Sequence, residues 1–147
     1  MTDNSHKTAI SRKTLPLPTR WLLARGLLRG TILDYGCGKC FDLNNLFFVS
    51  DGYDPYYRKD GIEHYSYDVI LCNFVLNVIG NSAARQGVED DIQYLLALDG
   101  KAYISVRNDL KRLKGCTKRG TWQGNVIPPG KLIHQCASYR MYELGKE

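Results

Sequence analysis

The chain has 147 residues, a formal net charge of +5 and 44% hydrophobic residues, which indicates one globular domain and excludes a disordered or collagen-like chain. No apolar run approaches the ~18 residues that a membrane span requires, and the polar N-terminus lacks the apolar core of a secretory signal. Five cysteines without an export signal predict reduced thiols in a cytoplasmic protein.

The charge is distributed unevenly along the chain. Residues 1–30 carry a formal net charge of +5, residues 31–106 carry −6 and residues 107–147 carry +6. Basic ends around an acidic middle favour a polyanionic partner that contacts the ends. Two solvated tails explain the same pattern, and this alternative stays open.

The first thirty residues predict an extended basic arm at 1–18, followed by a single domain at 19–147. Thr19 is predicted to cap a helix that runs to about Leu28, and Gly30 is predicted to end it. The predicted apolar face of this helix consists of Trp21, Leu23, Ala24, Leu27 and Leu28.

The middle of the chain alternates between strand and helix patterns. The predicted elements are a strand at 31–35, a helix at 41–48, a short strand at 52–55, a buried strand at 67–72, a helix at 82–98 ended by Gly100, and a strand at 101–106. This order predicts an α/β fold, a Rossmann-like three-layer sandwich with a reduced, mostly parallel sheet. After a basic loop, residues 121–127 and 132–142 are predicted to pair as an antiparallel hairpin through Pro128-Pro129-Gly130.

A glycine-rich segment, LDYGCGKC at 33–40, joins the first predicted strand to the next predicted helix. Glycine allows the backbone to turn tightly and to approach a ligand, and a helix N-terminus offers N–H groups to an anion. Asp54 lies 16 residues after Gly38, near the spacing at which nucleotide-binding α/β folds place an acid on the ribose. A surface turn is the simpler interpretation of Asp54 taken alone, but the glycine loop favours the ribose role.

These segments, LDYGCG, GYDP and YDVILCNFVLNVI, resemble the cofactor signatures of class I S-adenosylmethionine-dependent methyltransferases. The resemblance implies a cofactor site made of Asp34, Gly36, Gly38, Asp54, Pro55 and Asn73. In this family the glycines approach the methionine part of the cofactor, Asp34 orients its amino group, and Asp54 binds the ribose hydroxyls. The residues after the 67–72 strand border the methyl group.

One branch of the family is more similar. Residues 7 to about 123 resemble the methyltransferases associated with DNA phosphorothioation systems, through KTA at 7–9, Arg12, LPTR at 17–20, LDYGCG, GYDPYY, VLNVI and RGTWQ. The resemblance implies S-adenosylmethionine as cofactor and leaves the methyl acceptor open.

The chain departs from the family pattern at two places. Cys40 stands at the third glycine position. Only 13 residues separate Asp54 from Asp68, too few for the usual helix, strand and helix. We therefore predict that the third strand of the family and its adenine-contacting acid are missing, and that Tyr56 and Tyr57 cover the adenine instead.

Asn73 is the candidate catalytic residue, because its oxygen atoms can orient an acceptor amine. It stands where adenine-N6 methyltransferases begin Asn-Pro-Pro-Tyr, but the two prolines and the tyrosine are absent. The following VLNVI resembles a helix start in other methyltransferases, with Asn77 in place of a glutamate. A helix cap is an equally good interpretation of Asn77.

Two further patterns bear on ligands. Cys37 and Cys40 form a Cys-x-x-Cys pair, which allows a redox interpretation, or a zinc site completed from Cys116, His134 or Cys136; we predict buried thiols and no metal. A basic cluster before Trp122 predicts contact with a nucleic-acid backbone and stacking on an exposed base. The predicted nucleic-acid contacts are Lys111, Arg112, Lys114, Lys118 and Arg119.

These observations predict an enzyme that transfers a methyl group from S-adenosylmethionine to a nucleic acid, DNA before RNA. Such a transfer needs alignment and a dry pocket more than a strong acid or base, which agrees with the absence of a triad pattern. Two alternatives stay open: a cofactor-binding nucleic-acid or regulatory module without transfer activity, and an enzyme that cleaves the cofactor.

Overall fold

The computed structural model describes residues 15–38, 49, 51–110, 114–117 and 120–147. The elements within them are α1 (Leu17–Ala24), β1 (Ile32–Tyr35), β2 (Asp51–Tyr53), β3 (Tyr67–Asn73), a 3₁₀ turn (Leu76–Val78), α2 (Ser82–Leu95), β4 (Leu96–Arg107), β5 (Lys114–Cys116), β6 (Trp122–Gly124), β7 (Lys131–Gln135) and β8 (Tyr139–Gly145). The helix predicted at 41–48 and most of the arm predicted at 1–18 lie outside the described residues.

Six strands form one mixed sheet in the order β2-β1-β3-β4-β8-β7. Strands β1 to β4 run parallel to one another, while β8 runs antiparallel to both β4 and β7. The α/β class predicted from the sequence is confirmed, with an antiparallel hairpin at one end of an otherwise parallel sheet.

Each face of the sheet packs against one helix because the apolar residues of β3 alternate between the two faces. Leu71 belongs to the cluster that contains Leu22 of α1. Its neighbour Ile70 belongs to the cluster that contains Ile92 of α2. The described residues thus form helix, sheet and helix layers.

The first helix ends earlier than predicted. Gly26 has a φ of 67°, and the N–H of Leu27 donates to the carbonyl of Leu22 over 3.1 Å. This is the 6→1 bond of a Schellman motif, in which a glycine with left-handed backbone ends the helix. Gly26 therefore ends α1, and the prediction that Gly30 does so was wrong.

The buried face of α1 also differs from the prediction. The helix begins at Leu17 rather than after a cap at Thr19. Thr19 and Leu22 are fully buried, whereas Leu23 is 45% exposed. The cause is that the short helix packs on the sheet through its first and middle turns, so Pro18, Thr19 and Leu22 are its buried residues.

The second helix gives way directly to β4. Asn81 caps α2 by accepting the N–H of Ala84 at 3.0 Å, and the helix ends at Leu95. Residues 96–100, predicted as helix and stop, belong to β4. Gly100 packs tightly there, since a Cβ would lie 2.7 Å from the carbonyl oxygen of Tyr67.

The edge hairpin was predicted with the wrong partner strand. β7 and β8 form it, both within residues 131–145, because a turn closed by the N–H of Cys136 on the carbonyl of Tyr139 interrupts the predicted 132–142 strand. β6 pairs instead with β5 in a separate two-stranded ribbon.

The prediction of a missing third strand is confirmed. β2 is the end strand of the sheet, and residues 55–66 contain no helix and no strand beyond one bridge between Asp54 and Arg58.

Candidate functional site

The glycine loop after β1 is tied to the end of β2. The N–H groups of Gly36 and Cys37 donate to the carbonyl of Tyr53 at 2.7 and 2.9 Å, and the N–H of Gly38 donates to Oδ2 of Asp54 at 3.0 Å. These three N–H groups hold the loop beside β2.

Gly36 is required by a close approach as well as by its backbone. Its φ is 82°, and a Cβ at this position would lie 2.3 Å from Cγ2 of Val75. The neighbour that excludes a side chain is therefore Val75, which lies between β3 and the 3₁₀ turn. A bulky residue at position 36 would displace protein before it filled any ligand pocket.

Asp54 organises the turn after β2. Its Oδ1 accepts the N–H groups of Tyr56 and Tyr57, each at 2.9 Å, and its Oδ2 accepts the N–H of Gly38. The side chain is 8% exposed. A carboxylate offers about four lone-pair sites, so the three backbone contacts leave capacity for one further donor.

Asp34 lies on the central strand of the parallel part of the sheet. It is 5% exposed and pairs in register with Gly52 and Leu71 of the neighbouring strands. Burial, followed by the nearby carboxylates of Asp34 and Glu89, raises the pKa of the Cys72 thiol well above its usual range. Cys72 is therefore protonated at neutral pH and is no nucleophile.

Asn73 ends β3 and contacts α1. Its Nδ2 donates to Oγ1 of Thr19 at 2.9 Å, while its Oδ1 is buried without a partner. The hydroxyl oxygen of Ser105, its register partner on β4, is also buried without a partner. Phe74 has a φ of 60°, an unusual conformation for a side chain of this size that is typical of functional sites.

Asn77 lies within the 3₁₀ turn and caps no helix; Asn81 caps α2 instead. Asn77 is 1% exposed, and its Nδ2 donates to Oε1 of Gln123 on β6 at 3.1 Å. Its Oδ1 is buried and unpartnered. Asn77 thus connects the segment after β3 to the ribbon.

Tyr56 and Tyr57 lie on the surface beside Asp54. They are 59% and 42% exposed, and their rings meet edge to face with centroids 4.8 Å apart. Pro55, between Asp54 and this pair, is exposed. Their predicted contact with an adenine ring stays a prediction.

The basic cluster is described only in part. Lys114 begins β5, and the other four predicted nucleic-acid contacts, Lys111, Arg112, Lys118 and Arg119, lie outside the described residues. Trp122 packs against Gly80 and Gly124, where a Cβ would lie 3.0 and 2.2 Å from its ring. The guanidinium of Arg85 lies 5.5 Å from the ring centroid, so this ring is less open to a base than we expected.

The cysteines differ from the predicted set of reduced thiols. Cys37 is disulfide-bonded, whereas Cys72, Cys116 and Cys136 are free. Among the described residues, no three His, Cys, Asp or Glu side chains are grouped as metal ligands. Neither helix in this part of the chain is long and apolar enough to cross a membrane.

A second polar cluster, unforeseen from the sequence, lies at the amino ends of the parallel strands, where β2 and β3 begin. Oδ2 of Asp51 contacts Nδ1 of His64 at 2.6 Å and accepts the Tyr67 hydroxyl at 2.5 Å. Burial alone would raise the pKa of Asp51, but the hydrogen bonds from His64 and Tyr67 together lower it below its usual value.

The structure brings the predicted cofactor residues to one edge, where the parallel strands have their carboxyl ends. Asp54 and Gly38 are in direct contact, and Asp34 and Asn73 lie on adjacent strands. Sequence reasoning missed the residues that hold Asn73 and Asn77 in place, because Thr19 and Gln123 are 54 and 46 residues away along the chain. A scan of protein-family models and a search of curated proteins found no match to this chain.

Proposed function

We propose that the chain binds S-adenosylmethionine at the carboxyl edge of its parallel strands and transfers the methyl group to a nucleic acid, DNA before RNA. The proposal treats the fold as a reduced Rossmann-like methyltransferase domain in a cytoplasmic enzyme.

The observation that carries the proposal is the strand order around β1. The chain places β2 on one side of β1 and β3 on the other. In open α/β sheets this reversal leaves a crevice outside the carboxyl end of the central strand, and ligands bind there. The loop with Gly36 and Gly38 follows β1 directly, and both glycines have positive φ, so the backbone can approach a ligand in the crevice.

The acids at this edge suit the two ends of the cofactor. Asp34 is buried at the end of β1, where a carboxylate can hold the methionine amino group. Asp54 retains one acceptor site beyond its three backbone contacts, which can receive a ribose hydroxyl. Tyr56 and Tyr57 offer exposed rings to the adenine. The bound cofactor would supply an activated methyl group.

The acceptor side of the proposal depends on Asn73. Its buried Oδ1 has no protein partner, and its amide nitrogen is fixed by Thr19. An oxygen held in this way can accept a hydrogen bond from an amino group and align the nitrogen for attack. The buried surroundings exclude water from the same place.

The test is transfer of radiolabelled methyl groups to mixed DNA and RNA. We expect label in the nucleic acid, lost in Asp34→Asn and retained in Asp51→Asn, which changes an equally buried acid at the opposite edge. A Gly36→Arg variant is unsuitable, because its side chain would collide with Val75. Intact cofactor and no label in any nucleic acid would contradict transfer to these acceptors.

A cofactor-binding module without transfer activity is the second candidate. The short segment 55–66, without helix or third strand, favours it because the adenine side of the crevice is less enclosed. Calorimetry that detects cofactor binding in a protein that transfers no label would support the module. Breakdown of the cofactor in the absence of nucleic acid would instead support a cleaving enzyme.

A further inference from the structure

We propose that α1 and the β5–β6 ribbon are the two walls of one groove that binds an unpaired nucleic-acid strand and leads it to residues 73–77. The inference rests on the proposed function, because it treats residues 73–77 as the place of methyl transfer. The binding groove itself is tested without cofactor or methyl transfer.

The first wall is bonded directly to the end of β3. Thr19 is fully buried, and its hydroxyl accepts the amide of Asn73. Leu22 of the same helix packs in the cluster on one face of the sheet, with Leu71. The wall therefore reaches Asn73 from that face.

The second wall is bonded to the other end of the same segment. Gln123 on β6 accepts the amide of Asn77, and the Trp122 ring covers Gly80. Leu76, beside Asn77, packs in the cluster on the opposite face of the sheet. The ribbon therefore contacts the end of this segment that is remote from Asn73.

The segment between the walls contains two buried polar atoms without partners and one residue with a left-handed backbone. The Oδ1 atoms of Asn73 and Asn77 are buried without partners, and Phe74 between them has a φ of 60°. Buried acceptors without donors are rare in proteins and point to a ligand or a catalytic role. The amino groups of bases are donors of the required kind.

The charge of the walls selects the partner. The chain ends that contain the walls carry formal net charges of +5 and +6, against −6 for residues 31–106. On α1 and its C-cap, the exposed Arg20 and Arg25 form no ion pair with any described residue. Lys114 opens the ribbon. Exposed cations without acidic partners on α1, in a chain whose two ends are both basic, suit the phosphates of a polyanion.

Stacking on the first wall favours an unpaired strand. Arg25 is exposed, and its guanidinium lies 4.0 Å from the centroid of the Trp21 ring, which also stacks on His134 with centroids 4.5 Å apart. Unpaired bases stack on guanidinium planes, so the exposed Arg25, rather than the covered Trp21 ring, offers the stacking surface. A base in a duplex reaches an enzyme site only after it is extruded from the double helix, whereas an unpaired base can reach residues 73–77 directly.

The chain has two tryptophans, one in each wall, so the fluorescence of single-tryptophan variants can follow DNA binding at each wall separately. Trp122→Phe leaves Trp21 on α1 as the only tryptophan, and Trp21→Phe leaves Trp122 on the ribbon. On titration with a short single-stranded DNA oligonucleotide, we expect the emission of both proteins to change and to saturate at the same DNA concentration within about twofold. A response from only one tryptophan would overturn the two-walled groove.

A charge comparison provides the second test, with salt dependence as the readout. Arg20→Gln with Arg25→Gln should lower the slope of log K against log salt by about two units. The matched control, Lys101→Gln with Lys146→Gln, removes the same charge near the amino ends of the strands and should leave the slope unchanged. Equal slopes for all three proteins would contradict the groove, and duplex DNA binding as tightly as the single strand would contradict the unpaired partner.

Discussion

Asp51 begins the three-residue strand β2, and Asp54 follows its last residue. Asp51 therefore lies at the amino ends of the parallel strands, whereas Asp54 lies at their carboxyl ends. Asp51 accepts hydrogen bonds from the side chains of His64 and Tyr67, which lie 13 and 16 residues further along the chain. Asp54 contacts the backbone of the glycine loop and of its own turn. The two buried acids of DGYD therefore differ in their contacts: Asp51 joins side chains of the fold, whereas Asp54 shapes the backbone around the proposed cofactor site.

The unpartnered polar atoms strengthen this contrast. At the carboxyl edge, Asn73 and Asn77 both bury an amide oxygen that has no partner. At the amino edge, Asp51 is 2% exposed with both its neighbours donating to it. Buried polar groups that are fully satisfied stabilise a fold, whereas unsatisfied ones cost stability and persist mainly where function requires them.

The first expected effect is a difference between the two acids in ligand binding. Asp54→Ala should weaken S-adenosylmethionine binding at least tenfold, about 1.4 kcal/mol, because it removes both the ribose acceptor and the tether to Gly38. Asp54→Asn should fall between this variant and the parent, since its oxygen can still accept from Tyr56 and Tyr57. Calorimetry measures the three affinities, and equal values would show that Asp54 does not contact the ribose.

The second effect separates them by stability. Asp51→Asn should lower the free energy of unfolding by about 1–3 kcal/mol at pH 7, because a buried charge-assisted network loses its acceptor. The pKa of Asp51 is lower in the folded protein than in the unfolded chain. Its ionised form therefore stabilises the fold above the unfolded pKa of about 4, and this contribution is lost as the pH falls through the folded pKa.

Urea unfolding at several pH values checks this prediction. The difference between parent and variant should be largest at neutral pH and should narrow below about pH 4. A difference that is independent of pH would indicate that Asp51 acts through packing alone.

The smallest expected effect is the loss of stability when the hydrogen bond between α1 and Asn73 is removed. Thr19→Val preserves the shape of a fully buried side chain but removes the hydroxyl that accepts from Asn73, so the free energy of unfolding should fall by about 1 kcal/mol. Thr31→Val is the matched control, and it should change stability by less than about 0.5 kcal/mol. Equal values for both variants would mean that the Thr19–Asn73 bond contributes nothing to the fold.

The core of the fold was predictable because its strands are continuous apolar runs. YDVILCN forms β3 as expected, and the short spacing after Asp54 correctly predicted the missing strand. Errors arose where tertiary contacts override local pattern. Residues 96–100 continue a helical pattern but belong to β4, where Leu96 pairs with Tyr67. Gly26, rather than Gly30, ends the first helix.

The site was predictable only where a local motif marks it. The glycine loop and Asp54 have recognisable spacing, and the structure places them in contact. The bonds from Asn73 and Asn77 join residues 54 and 46 positions apart, and no periodicity or motif marks such pairs. The left-handed backbone of Phe74 was equally unpredictable, since phenylalanine rarely adopts it.

Hydrogen–deuterium exchange with and without S-adenosylmethionine is the most direct test of a cofactor site at the carboxyl edge. The account predicts slower exchange for the amides of Gly38, Tyr56 and Tyr57 when the cofactor is present, and unchanged exchange for residues 62–68 at the amino edge. Exchange that the cofactor leaves unaltered throughout the chain, or slows only at residues 62–68, would contradict the account.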